Sequence, residues 1–182
     1  MIPVAAAFGL FLVVFGFIGL ARRFPVELGA TIGFTAMLFA LLMGAELIGG
    51  LSYRVASALG LGQDEALVRW FALTACIGIW VAFMYVGQTL TFAGTWPPSR
   101  VVGTVLDLMI GLFNGWLVVG TWWYYTDRLG YPMQQLGWFV LPLSARAEAI
   151  VSVTPPALIP PGFGPWLVGG FLVFLIALRV FR

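Results

Sequence analysis

Two polar side chains, Asp107 and Asn114, lie within a long apolar run of the sequence and are the first candidates for chemistry. They are seven residues apart, or two helical turns, so both fall on one face of a helix. Asp107 lies about 10 Å beyond Arg100 along that helix, and a carboxylate at that depth in lipid is costly unless it is paired or hydrated. One interpretation is a hydrogen bond to another helix, an ion pair with an arginine, or loss of the charge by protonation. The other is a proton or ion path through Asp107 and Asn114, completed by Gln88 from the neighbouring helix.

Other reactive groups are scarce in this sequence. It has no histidine, no lysine and one cysteine, Cys76. The commonest ligand of haem, zinc and copper is therefore missing, as are a Schiff-base lysine and a histidine base for a serine nucleophile. We expect no catalytic residues, no metal site and no bound cofactor, and hence a protein that is not an enzyme.

The composition is typical of a membrane protein. Of 182 residues, 62% are hydrophobic and 9% are charged, and the mean hydropathy is +1.03. Soluble domains carry about 25% charged residues. The net charge of +2 is spread along the chain, so no basic surface for nucleic acid is expected.

The apolar runs predict an all-α, polytopic membrane bundle that forms a single integral membrane domain over residues 1–182. We predict about five transmembrane helices, four to five in number, at about 3–21, 27–48, 68–92, 100–125 and 166–180. Each is close to the roughly 20 residues that cross a bilayer. Glu27 and Glu46 bracket the second span about 28 Å apart, so each carboxylate is expected at one membrane interface.

Residues 126–165 are predicted to be a proline-rich loop, because seven of the eleven prolines lie there. Proline in a helix interior removes a hydrogen bond and clashes with the preceding turn. Within this loop, residues 133–153 are apolar enough to form an interfacial helix that lies on the membrane or dips into it.

The arginines favour one orientation in a bacterial inner (cytoplasmic) membrane. Arg22 and Arg23 follow the first span, whereas no basic residue precedes it, so the N-terminus is expected outside and the C-terminus in the cytoplasm.

Small residues recur every three or four positions in two of the predicted spans, a spacing that lets helices pack closely in lipid. The set comprises Gly29, Gly33, Ala36, Ala40 and Gly44 in the second span and Gly103, Gly111 and Gly115 in the fourth. We interpret these stripes as packing within the chain; the alternative is that one of them docks a partner subunit.

Two segments resemble the colicin V production protein (CvpA-like) family of small bacterial inner-membrane proteins. In the turn after the first span, Arg22, Phe24 and Glu27 match the family pattern, while Arg23 replaces the usual glycine and Pro25 is unusual. In the fourth span, Asp107 and the glycines that follow it are similar to the family's Asp and glycine-spaced helix, with Asn114 where an arginine often occurs. The resemblance implies four helices and a role in secretion or envelope homeostasis, whereas the long proline-rich segment and the fifth span depart from it.

Two functions remain open from the sequence. The first is a non-catalytic accessory subunit of a larger membrane complex, of the respiratory or photosynthetic electron-transfer kind, with membrane lipids and other membrane proteins as its partners. The alternative is a CvpA-like transport or secretion-related protein that acts alone or as a homo-oligomer, with Asp107 in an ion or proton path.

Overall fold

The computed structural model describes residues 4–61, 64–86, 92, 100–137 and 144–180. Its helices are α1 (Val4–Arg22), α2 (Phe24–Ala58), α3 (Glu65–Val86), α4 (Arg100–Arg128), α5 (Ala145–Ser152), α6 (Pro155–Leu158) and α7 (Gly164–Val180), with a 3₁₀ helix at Pro132–Leu136 between α4 and α5. The predicted all-α bundle is thereby confirmed. The helices α1 to α4 are each long and apolar enough to cross a membrane, whereas α7, at 17 residues, is shorter.

The core of the bundle forms where α1 and α2 meet α4. The most extensive contact joins α1 to α4, and α2 in turn contacts α4, α3 and α7. Phe34 and Trp123 are among its largest fully buried side chains, and the Phe8 ring meets the Trp123 ring edge to face at 6.1 Å. Such aromatic pairs add stability beyond the area that they bury.

Helix α2 is longer than its predicted span. It continues through Gly49 and Gly50 to Ala58, ten residues beyond the predicted end of the span at residue 48. Its 35 residues extend about 52 Å, so α2 is longer than the roughly 30 Å of hydrocarbon that a spanning helix must cross. Gly49 does not interrupt the helix. Its lack of a side chain leaves room for the side chain of Arg69 on α3.

The proline-rich segment returns to the bundle instead of forming an extended loop. Thr154 is fully buried, and Pro155 packs against Gly120 of α4, about 12 Å before that helix ends. Trp116 Nε1 donates a hydrogen bond of 2.9 Å to the carbonyl oxygen of Val153. Pro155 and Pro156 occupy the first turn of α6, where a backbone N–H would have no partner within the helix. Because proline has no N–H, burying these two residues leaves no unpaired donor.

The predicted interfacial helix over residues 133–153 corresponds in part to α5, which contacts α1 and α4. Ser144 caps its start by accepting a hydrogen bond of 3.2 Å from the Ala147 N–H. Met133 at the other end of the range is fully buried. The residues between 138 and 143 are outside the part of the chain that the structure describes.

Candidate functional site: a buried polar cluster beside the first helix turn

A carboxylate that the sequence placed at a membrane interface is enclosed by protein. Glu27, in the first turn of α2, has a side chain with no exposed surface, and its Oε1 lies 3.3 Å from Nε of Arg22 at the end of α1. Burial strengthens the attraction between these two charges, but it also removes the Glu27 carboxylate from water, whereas the Arg22 side chain remains 22% exposed. Glu27 is thus enclosed by the bundle, whereas the side chain of Glu46, the other carboxylate that brackets the predicted span, is exposed.

Asn114 on α4 links to this ion pair through its amide group. Its Nδ2 donates hydrogen bonds to Glu27 Oε2 at 2.8 Å and to the Glu27 carbonyl oxygen at 3.0 Å. The Thr31 hydroxyl donates to Asn114 Oδ1 at 2.7 Å. Both amide donors and the amide oxygen are thus engaged, which is what a fully buried asparagine requires.

Tyr85, near the end of α3, closes the cluster from a fourth helix. Its hydroxyl donates to Glu27 Oε2 at 3.4 Å, and the Arg22 guanidinium lies 4.6 Å from the centre of its ring. The ring therefore offers a cation–π contact to the same arginine that pairs with Glu27. We call Arg22, Glu27, Thr31, Tyr85 and Asn114 the buried polar cluster.

Asp107 lies beside this cluster and contacts the backbone. The Phe24 N–H, at the first residue of α2, donates a hydrogen bond of 2.5 Å to Asp107 Oδ1. A helix start leaves its first N–H groups without partners inside the helix, so Asp107 supplies from α4 what a capping side chain normally supplies locally. Its negative charge also complements the positive end of the α2 dipole.

The turn between α1 and α2 is a single residue, Arg23, with φ of 70° and ψ of 153°. This is a backbone region that glycine occupies almost exclusively. Arg23 is the position at which the CvpA-like pattern has glycine. The tight turn places Arg22 and Glu27 against the same face of α4.

Close helix packing brings the site together. A Cβ atom added at Gly19 of α1 would lie 2.7 Å from Cα of Gly111 on α4, and one added at Gly111 would lie 2.9 Å from Cα of Gly19. One at Gly115 would lie 2.7 Å from Cβ of Phe15. The two backbones can approach this closely only because these positions carry no side chain.

The stripe predicted in the second span divides into two parts. Gly29 is buried, and Gly33 accommodates Met84 of α3, while its carbonyl oxygen accepts a 3.0 Å hydrogen bond from Trp80 Nε1. Ala36 is half-buried, Ala40 is exposed, and a Cβ at Gly44 would meet open space. In the fourth span, Gly103 is buried along with Gly111 and Gly115.

The predicted polar site is therefore found in part and in a different form. Asp107 and Asn114 lie close to the start of α2, as two separate contacts with that helix. Gln88, the third predicted member, is outside the described residues. Sequence reasoning did not assign Thr31 or Tyr85, since a lone Thr or Tyr in an apolar helix gives no signal of its partner.

The aromatic run near the end of α4 packs into the bundle. Trp122 Nε1 donates to Thr74 Oγ1 at 2.9 Å, and Trp123 Nε1 donates to the Tyr131 hydroxyl at 3.2 Å. Burial raises the pKa of Tyr131, which lies just beyond α4. Within the described residues, no three His, Cys, Asp or Glu side chains are grouped as metal ligands.

Comparisons with protein-family models, with curated proteins and with solved structures found no match to this chain.

Proposed function

We propose that this protein is a non-catalytic integral membrane subunit that holds a fixed position in a larger bacterial inner-membrane assembly. The observation that carries the proposal is that the polar side chains in the bundle bond to other helices. Glu27, Asn114 and Thr31 bond to one another, and Asp107 bonds to the start of α2. These groups fix helices against each other, which is what a bracing subunit requires.

The outward faces supply the surface for partners. Helix α3 is the least buried of the four spanning helices, and it exposes Ile79, Phe83 and Val86. Gly78 lies on the same helix with open space beside it, which would allow a partner helix to approach closely. The respiratory and photosynthetic electron-transfer complexes are the class of assembly that we propose first, because such complexes contain subunits without redox ligands.

Solubilisation of native membranes in mild detergent, followed by a native gel and mass spectrometry, tests this proposal. We expect the chain to migrate at fixed stoichiometry with other subunits and Gly78→Leu to release it. Gly170→Leu is the matched control, because Gly170 on α7 also faces open space. Migration as a monomer or homo-oligomer would contradict the proposal.

A second candidate is a CvpA-like transport or secretion-related protein, and a specific contact favours it. The two segments that resemble the family, around Phe24 and around Asp107, lie far apart in the sequence and are joined by the 2.5 Å hydrogen bond between those two residues. Asp107→Asn separates the candidates. An asparagine oxygen can still accept the Phe24 N–H, so the bundle is retained while an ionisable group is lost. Loss of transport with intact assembly would favour this candidate, and retained transport would exclude an ion path through Asp107.

A further inference from the structure

A cavity of about 360 Å³ opens between α2, α3 and α4 at the end of the bundle away from the buried polar cluster. Its charged and polar walls are formed by Glu46, Arg69, Tyr124, Tyr125 and Arg128. Two guanidinium groups face one carboxylate, so the cavity carries one positive charge in excess. An anion is the ligand that such a site favours.

Arg69 is held in place by the shape of α2. A Cβ atom at Gly49 would lie 2.7 Å from Cζ of Arg69, so glycine at this position lets the guanidinium lie directly against α2. Arg69 Nη2 donates to the carbonyl oxygen of Ala45 at 3.3 Å and lies 3.8 Å from Glu46 Oε1. Its Nε is buried and has no hydrogen-bond partner among the described residues. The side chain is thus positioned but retains capacity to donate.

Arg128 is oriented from the opposite wall. Its Nε donates to the Tyr124 hydroxyl at 3.2 Å, and its Cζ lies 5.2 Å from the centre of the same ring. Both Arg128 and Tyr124 line the cavity, and their contact orients the exposed guanidinium of Arg128. Glu46 competes weakly for Arg69, because its side chain is 95% exposed and its charge is therefore screened by water.

The cavity lies at the level of lipid headgroups. Arg128 is the last residue of α4 and Arg69 lies in the second turn of α3, so the cavity lies at the ends of two helices that are long enough to span a membrane. Leu42 and Leu73 line the cavity next to its polar walls. A ligand with an anionic head and an apolar body meets both surfaces at once.

We propose that this cavity binds the phosphate group of an anionic phospholipid through Arg69 and Arg128. Planar guanidinium groups donate paired hydrogen bonds to phosphate oxygens. Basic pockets between transmembrane helices at the membrane surface are a recurring form of lipid headgroup site. The lipid then bridges α3 and α4, because Arg69 lies on one helix and Arg128 on the other.

The test uses the purified full chain in detergent, titrated with phosphatidylglycerol against a phosphatidylcholine background, with bound lipid counted by native mass spectrometry. We expect Arg69→Gln and Arg128→Gln each to weaken phosphatidylglycerol binding by at least about tenfold, since each removes hydrogen bonds to a charged group. Arg54→Gln is the matched control, because it removes the same charge from an exposed position on α2. An equal loss of binding in Arg54→Gln would overturn the proposal by showing attraction to charge alone.

Glu46→Gln supplies a gain of function that a folding defect cannot mimic. It removes the carboxylate that competes for Arg69, and we expect binding to tighten about threefold, the scale of an exposed ion pair. Inorganic phosphate distinguishes the source of the ligand. If phosphate stabilises the wild type but not Arg69→Gln, and phosphatidylglycerol competes with the phosphate, the lipid proposal is supported. If phosphatidylglycerol does not compete with the phosphate, the site binds a soluble anion and the lipid proposal is overturned. If neither probe prefers the wild type over Arg69→Gln, the proposal fails.

Discussion

At the scale of single residues, the dominant feature is a carboxylate enclosed by protein. Moving a charge out of water costs several kcal/mol even after the protein relaxes. The Arg22 guanidinium, the Asn114 amide and the Tyr85 hydroxyl together offset that cost at Glu27. Because these partners come from three other helices, only the native arrangement of the four helices brings all of them to the carboxylate.

Replacing Glu27 with alanine should destabilise the bundle severely. The substitution leaves the partly buried Arg22 without its carboxylate and removes an acceptor from the buried Asn114, and the loss of one partner of a buried ion pair costs up to about 3–5 kcal/mol. Thermal unfolding in detergent measures the effect. The control is Glu46→Ala on the same helix, whose side chain is 95% exposed and whose loss should change stability by no more than about 0.5 kcal/mol. Equal melting temperatures for the two variants would mean that the cluster does not stabilise the fold.

Arg23→Gly should stabilise the protein. Arg23 occupies φ of 70° and ψ of 153°, where a residue with a Cβ atom is strained by about 1–3 kcal/mol. Glycine relieves this strain but makes the unfolded chain more flexible, so we expect a net gain of about 1 kcal/mol. The melting temperature should rise for Arg23→Gly and not for Arg23→Ala, which removes the charge but keeps the Cβ. A higher melting temperature in both variants would mean that the effect comes from loss of the Arg23 charge and not from relief of backbone strain.

At the scale of the elements, the contact between α1 and α4 determines how closely the polar groups approach. Gly111→Ala should push these helices apart, because the added Cβ would meet backbone atoms of Gly19, which cannot rotate away. Overpacking of this kind costs about 1–3 kcal/mol.

Gly9→Ala on α1 is the matched control for Gly111→Ala. A Cβ there meets nothing within 4 Å, and alanine is the better helix former by about 0.5–1 kcal/mol. We therefore expect Gly9→Ala to equal or exceed the wild type in thermal unfolding. If Gly111→Ala behaves in the same way, the close contact of α1 with α4 is wrong.

The helices themselves were predictable from sequence, because long uncharged runs leave a backbone in lipid no alternative to a helix. The residues at which the helices end were harder to predict. Helix α2 continues to Ala58 through Gly49 and Gly50, and composition does not reveal that Gly49 contacts Arg69 of another helix. The burial of Glu27 was missed for the same reason. Its spacing from Glu46 fits two interfaces, whereas its burial depends on Asn114, which lies 87 residues away.

At the scale of the whole molecule, four spanning helices place the ends of the bundle on opposite sides of the membrane. The α1–α2 turn and the start of α4 share one end, since Phe24 bonds to Asp107. The other end of α2, at Ala58, lies at the opposite end of the bundle. Exposed residues at the two ends of the bundle are therefore expected on opposite sides of the membrane, whichever end faces the cytoplasm.

Single cysteines placed in a Cys76→Ser background should show on which side of the membrane each end of the bundle lies. We expect a membrane-impermeant maleimide to label Arg54→Cys from one face of sealed vesicles and Arg100→Cys only from the other, since both positions are exposed at opposite ends of the bundle. The wild-type Cys76 is the control. It is exposed on α3 within the predicted span, where lipid should shield it from the reagent. Labelling of both variants from the same face would contradict four crossings.

The 87-residue separation of Glu27 and Asn114 has a consequence for biogenesis. At about 5–20 residues per second, a ribosome needs roughly 4–17 s to make the chain between them. During that interval α2 has left the ribosome, while the amide that will bind its carboxylate has not yet been synthesised. Until α4 arrives and completes the bundle, Glu27 must therefore wait at the insertion machinery or rely on Arg22 and, once α3 has been made, on the Tyr85 hydroxyl.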